Sequence, residues 1–117
     1  DIVKEKYYHG LVSVSETLAM FKSPGDFIVR VAAPIIDRQR QYVLCVYMGK
    51  GVIKDFFVKR TPEGKYFIDG FSFKSIKALV SYYHYEGSSV TKSYECIIKN
   101  PIGKQTWELD HADITVT

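Results

Sequence analysis

The chain has 117 residues, 46% apolar and 25% charged, which suits one globular domain with its own core and excludes a disordered chain. Its net charge of +3 comes from 16 basic and 13 acidic residues that are interspersed, so a dedicated nucleic-acid groove is not signalled and a small or locally charged anionic partner is. The longest apolar run, Val43 to Met48, falls far short of the roughly 20 residues of a membrane span. The chain opens at Asp1 without Met or a signal-peptide pattern and reads as an excerpt from a longer protein.

Ser13-Val-Ser-Glu16 has the spacing of a capping box and starts a short helix with Leu18 and Phe21 on one face, ended by Pro24-Gly25. Asp26 to Val31 alternates as a strand, with Phe27, Val29 and Val31 on one face and Ile28, Arg30 and Ala32 on the other. Ala33 to Gln41 carries Pro34 and three charges and reads as a loop. Tyr42 to Met48 is a second strand, Gly49-Lys-Gly51 a hairpin turn and Val52 to Val58 a third strand. Thr61-Pro-Glu-Gly64 is turn chemistry, Lys65 to Ile68 a short fourth strand, and Asp69-Gly70 another turn.

Ser72 starts the clearest helix, in which Ile76, Leu79, Val80 and Tyr83 follow the i, i+3, i+4, i+7 template and Gly87 supplies the stop. Ser88 to Lys92 reads as loop and Cys96 to Lys99 as a short apolar strand broken by Asn100-Pro101. Ile102 to Thr106 reads as linker, and Ile114 to Val116 as one more strand-like run. Tight turns pair strands antiparallel, so the expected fold class is α+β, a central antiparallel sheet flanked by two α-helices. Cys45 and Cys96 sit in apolar stretches as buried free thiols, which implies a reducing compartment. No Cys-x-x-Cys or His-x-x-x-His spacing calls for a metal, and no cofactor motif is present.

Arg30 is the anomaly, because it stands in an otherwise apolar strand and its guanidinium does not lose its proton. It is either a solvated residue on an open sheet face or a charge awaiting an anion. Its planar fork donates two parallel hydrogen bonds and matches phosphate.

Tyr7-Tyr-His-Gly10, the capped helix and Gly25-Asp-Phe-Ile-Val-Arg30 together resemble a Src homology 2 (SH2) domain, whose usual opening is Trp-Tyr-His-Gly and whose signature strand is Gly-x-Phe-Leu-Val-Arg. Tyr42-Val-Leu-Cys-Val46 is similar to the family's next strand, and Phe73 to Tyr83 to its second helix. Trp107-Glu-Leu-x-His-x-Asp-Ile114 resembles the segment entering the kinase domain in Fes/Fer-type non-receptor tyrosine kinases, and Val90-Thr-Lys92 resembles a loop of that group. The resemblance divides the chain into an SH2 domain over 1–100 and a linker over 101–117 leading toward an absent kinase domain. The Gly-rich loop, ATP lysine and catalytic loop of a kinase are not in this sequence, so this chain is expected to be a binding domain without catalysis, whatever ATP-dependent activity its parent has.

The resemblance implies phosphotyrosine binding by Arg30, with Arg38 and Arg40 of the following loop reaching the phosphate and Phe57 packing on the ring. It places Phe56, Ile68, Phe71, Tyr83 and Val90 around a second pocket for an aliphatic residue three positions after the phosphotyrosine. It also implies two partners, tyrosine-phosphorylated proteins and the kinase domain of the same polypeptide, in a cytoplasmic protein recruited to membrane-associated signalling complexes. His9 reads as structural, His84 as suited to a helix C-terminus, and His111 as part of the linker pattern.

The sequence departs from the family's pattern where Val14 replaces a frequent second Arg, Ala32 a usual Ser, and Asp55 and Phe57 the His and Lys that often flank the aromatic of the third strand. Those departures keep a second reading open, a degenerate SH2 domain acting mainly as an intramolecular scaffold for its kinase domain. An unrelated enzyme or an aromatic-rich nucleic-acid binder is the remaining class, and steeply salt-dependent RNA binding would favour the latter.

Overall fold

Two apolar strands, each covered on both faces, build the centre of the molecule. The computed structural model describes residues 2–36 and 39–103, with residues 3, 14, 32–36, 39 and 40 described by backbone alone. After a 3-10 turn at Ile2–Lys4, the elements are β1 (Tyr8–Gly10), α1 (Val14–Met20), β2 (Asp26–Ile36), β3 (Gln39–Gly49), β4 (Val52–Phe57), β5 (Lys59–Arg60), β6 (Tyr66–Phe67), β7 (Ser72–Phe73), α2 (Ile76–Glu86) and β8 (Asn100–Pro101).

The main sheet runs β1-β2-β3-β4, and β5-β6-β7 form a second, three-stranded sheet. β2, β3 and β4 are antiparallel, with Phe27 opposite Val46, Val31 opposite Tyr42 and Leu44 opposite Phe56. Gly49, Lys50 and Gly51 all take positive φ at the β3–β4 turn, which is why glycines flank it. β1 and β8 pair parallel to β2, so the antiparallel centre carries two short parallel additions.

The expected α+β class, a sheet flanked by two helices, is what the structure has. Phe27, Val29, Val31, Leu44 and Val46 turn to one side and pack with Ile76, Leu79, Val80 and Tyr83 of α2. Ile28, Val43 and Cys45 turn to the other side and meet Met20 and Phe21 at the end of α1. Burial on both faces explains why Val43 to Met48 reads as a continuous apolar run rather than an alternation. Cys45 and Cys96 are buried free thiols. Among the described residues, no helix is long and apolar enough to cross a membrane.

Several local expectations are corrected. Most of the segment expected as a loop over Ala33 to Gln41 is strand, because β2 and β3 continue pairing through Ala32–Gln41 to Ile36–Gln39. This ribbon extends past Val43–Phe57, the last pairing of β3 with β4, so it needs no apolar core pattern and its sequence looks like loop. The capping box is present, with Ser13 Oγ accepting from the Glu16 amide and Glu16 from the Ser13 amide, each at 3.0 Å. Of the face expected to be buried, Phe21 is inside but Leu18 is 39% exposed, and Thr17 and Met20 turn inward in its place. Thr17 tolerates burial because its hydroxyl donates to the Ser13 carbonyl at 2.8 Å.

The second helix starts at Ile76 rather than Ser72. Ser75 is its cap, accepting from the Ala78 amide at 3.0 Å, and Ser72–Phe73 pairs with β6 instead. Gly87 ends α2 in the left-handed region, at φ 68°. Of Lys65 to Ile68, only Tyr66–Phe67 is strand. Cys96 to Lys99 is irregular, held by bonds such as Cys96 amide to Ser89 Oγ and Lys99 amide to the Gly25 carbonyl, each 2.9 Å. The strand comes at Asn100–Pro101, the pair expected to break it. Ile102 donates to the Phe27 carbonyl, and His9 Nε2 donates to the Ile102 carbonyl at 2.8 Å. The strand-like run at Ile114 to Val116 lies outside the described residues.

Tyr7 leaves one buried group unsatisfied. Its ring packs 5.6 Å from that of Phe27, and its hydroxyl finds no hydrogen-bond partner among the described residues. Burial first, and Glu5 and Tyr85 after it, push its pKa well above the usual phenol value. An unpaired buried hydroxyl costs about 1–3 kcal/mol. Tyr7→Phe is therefore expected to stabilise the domain by about 1 kcal/mol, raising the melting temperature by roughly 4–8 °C. An unchanged or lower melting temperature would show that the hydroxyl is satisfied.

Candidate functional site

The strand register puts the site together from residues far apart in sequence. Ile28, Cys45 and Asp55 lie across β2, β3 and β4 in one row, and Arg30, Val43 and Phe57 form the next. Directly opposed residues share a face, so Arg30, Asp55 and Phe57 are on the α1 side of the sheet.

The Arg30 side chain is only 14% exposed. Its Nε donates to Cys45 Sγ at 3.1 Å, and its Nη2 donates to Asp55 Oδ2 at 3.2 Å in an ion pair. Burial works against the guanidinium charge, but the Cys45 sulfur and the Asp55 carboxylate outweigh it and raise the Arg30 pKa. Burial, followed by Asp55, pushes the Cys45 thiol up to about 12. Cys45 is thus a neutral acceptor at pH 7, and Asp55 supplies the negative charge that Arg30 faces. A neutral, buried thiol is also a poor nucleophile.

Phe57 is 46% exposed. Arg38 lies outside the described residues, and Arg40, Val14 and Ala32 are among those described by backbone alone. The five residues expected around a second pocket divide. Ile68, Tyr83 and Val90 are buried in the α2-side core. Phe56, on the face away from Arg30, is half-buried with its ring 6.3 Å from Tyr94. Phe71 is 66% exposed, its ring 5.8 Å from Tyr82.

Sequence reasoning noted Asp55 as a departure from a pattern and missed it as the partner of Arg30. The signal was available, since the Gly49-Lys-Gly51 turn fixes which β4 residues oppose β3. It also missed a tie between two loops. Asp69 Oδ2 accepts from Thr91 Oγ1 at 3.0 Å and from the Lys92 amide at 2.9 Å, joining the turn after β6 to the loop after α2. The Lys92 amide, then the Thr91 hydroxyl, hold the Asp69 carboxyl below its usual range. Ser89 Oγ organises the same loop, its one proton shared between the Thr91 and Tyr94 carbonyls while the oxygen accepts from the Cys96 amide.

The SH2 domain family model matches residues 7–83, so the chain belongs to the SH2 family of phosphotyrosine-binding modules, and its sheet between two helices is that family's fold. It is 25% identical over 113 residues to the tyrosine-protein kinase transforming protein Fps of avian sarcoma virus (strain PRCII), covering 97% of this chain and 20% of that protein. It is 27% identical over 114 residues to the spermatocyte protein spe-8 of Caenorhabditis elegans, covering 94% of this chain and 21% of that protein. The Fps transforming protein of Fujinami sarcoma virus is 23% identical over 113 residues, 97% of this chain and 12% of that protein. The chain therefore spans about a fifth or less of the curated relatives it matches. An SH2 domain by itself is not a catalyst.

Proposed function

We propose that this chain reads phosphotyrosine in peptides through Arg30, whose guanidinium pairs with the phosphate while the phenyl ring packs on Phe57. The observation that carries this is the 14% exposure of the Arg30 side chain together with the 38% exposure of Asp55, the carboxylate paired with it. A cation so placed keeps a small exposed part and is held by a carboxylate that can turn to water. A phosphotyrosine brings about −1.5 to −2 charges to it.

Arg38, between β2 and β3 in sequence, and Arg40, in β3, are the proposed additional phosphate ligands. Residues after the phosphotyrosine cross β4 toward Phe56 and Phe71, with Ile68, Tyr83 and Val90 behind them, and an aliphatic side chain at the third position suits that apolar surface. By its likeness to Fps, the parent is a non-receptor tyrosine kinase acting in the cytoplasm and drawn to membrane-associated complexes. Residues 1–100 are then its SH2 domain, and 101–117 lead toward the kinase domain, a second partner within the same polypeptide. Free, buried Cys45 and Cys96 fit a reducing compartment.

The Arg30–Asp55 ion pair also favours a second reading, a site closed on itself in a domain that serves as scaffold for its kinase. A fluorescence-anisotropy titration separates the two. The probe is a phosphotyrosyl peptide with Glu next and Ile third, and its unphosphorylated twin is the control. Low-micromolar binding that requires the phosphate is the expected result for a reader. No phosphate-dependent binding, across a peptide library as well, would leave the scaffold.

A further inference from the structure

We propose that Asp55 is a resident competitor for the phosphate: it occupies Arg30 in the free domain and must let go when a phosphotyrosine arrives. This rests on the reading of Arg30 as the phosphate-binding residue. A bidentate phosphate needs two N–H groups along one edge of the guanidinium. The Nε–Nη2 edge of Arg30 is engaged, and the Nη1–Nη2 edge lies beside the same carboxylate. Nε donates to Cys45 Sγ, and Nη2 donates to Asp55 Oδ2 at 3.2 Å. An incoming phosphate would share Nη2 with a carboxylate, two anions on one nitrogen.

The geometry lets Asp55 yield. It lies on β4, the edge strand of the main sheet, and its side chain is 38% exposed. A carboxylate so placed can swing to water at little cost, whereas Arg30, at 14% exposure, is held in position. Cys45 does not compete in the same way, because its buried thiol carries no charge. Asp55 thus sets how much of the phosphate's attraction is left over as affinity, and with it the balance between reader and closed site.

In the opposite role Asp55 aims Arg30, and removing it weakens binding. The test is anisotropy titration of the 117-residue chain with the same phosphotyrosyl peptide and its unphosphorylated twin. Wild type, Asp55→Asn, Asp55→Ala, Asp55→Glu and the double variant Arg30→Ala/Asp55→Ala are compared, each checked by circular dichroism.

Asp55→Asn and Asp55→Ala are expected to bind the phosphopeptide about fivefold to tenfold tighter, the equivalent of a half-exposed ion pair that no longer has to be broken. Asp55→Glu stays near wild type, the gain disappears in the double variant, and the unphosphorylated twin is unaffected. Phosphate-dependent binding that appears only without Asp55 also supports the competitor. Unchanged or weaker binding by folded Asp55→Ala, with wild type still needing phosphate and Arg30, overturns the competitor and keeps the reader. No phosphate-dependent binding by any variant overturns both.

Discussion

Arg30→Ala should lower affinity for a phosphotyrosyl peptide by about 100-fold to 1000-fold while leaving the fold almost as stable as before. Truncating one member of a hydrogen-bonded charge pair in a partly buried site costs about 2–5 kcal/mol of binding, and 1.4 kcal/mol is tenfold. The stability side is small for a geometric reason. The groups that Arg30 leaves behind are the neutral Cys45 sulfur, a weak acceptor, and Asp55, which at 38% exposure turns to water, and such half-exposed pairs contribute about 1 kcal/mol or less. Arg30→Lys keeps the charge and loses both the fork and the Nε bond to Cys45, so about a tenfold loss or more is expected. Anisotropy titration beside a thermal melt reads both effects. Arg30→Ala binding like wild type would remove Arg30 from the phosphate site, and equal losses in binding and melting temperature would make it merely structural.

What the sequence revealed, and what it hid, divides along the range of the interactions. Arg30 stood out because one charge among Phe27, Ile28, Val29 and Val31 breaks a local pattern, and the structure puts it where that pattern says, on the face away from α2. The core side of α2 was equally legible, since Ile76, Leu79, Val80 and Tyr83 sit within two turns of one another and all are buried. Its start was not. Ser72 and Ser75 are both competent caps, and what chooses between them is the pairing of Ser72–Phe73 with β6, a contact no local window contains. The same holds for β8, whose partner Asp26 lies across most of the chain.

The site shows the limit more sharply. That Asp55 could reach Arg30 follows from the hairpin register, but whether it does depends on side-chain placement across three strands. Ile68, Tyr83 and Val90 illustrate another ambiguity. An apolar residue looks the same in sequence whether it lines an open groove or fills the core, and only burial separates them. The pairing from Ala32–Gln41 to Ile36–Gln39 escaped notice for the reverse reason: Pro34 and three charges leave that stretch without the periodicity that marks a strand.

Asp26 carries the largest stability prediction outside the apolar core. It is buried at 3% exposure at the head of β2. Its Oδ2 accepts from the Lys22 and Ser23 amides at 2.8 and 2.9 Å, and its Oδ1 from Asn100 Nδ2 at 2.9 Å. One carboxylate thereby fastens the turn after α1 and the β8 pairing to the strand that carries Arg30. Asp26→Ala strands all three donors, and a cost of about 3 kcal/mol follows from hydrogen bonds to a charged group, which lowers the melting temperature by roughly 10 °C or more. Burial pushes the Asp26 pKa up, but the Ser23 and Lys22 amides and the Asn100 amide outweigh it, leaving the folded value below the usual one. The unfolded chain therefore takes the proton first as the solution is acidified. The stabilisation is complete above the unfolded pKa, about 3.9, and is lost as pH falls from there through the folded value. Urea melts of wild type and Asp26→Asn at pH 7, 4 and 2.5 should show a gap that is wide at pH 7 and narrows toward pH 2.5. A gap that stays constant across that range would mean that the charge on Asp26 contributes nothing and that its oxygens serve only as neutral acceptors.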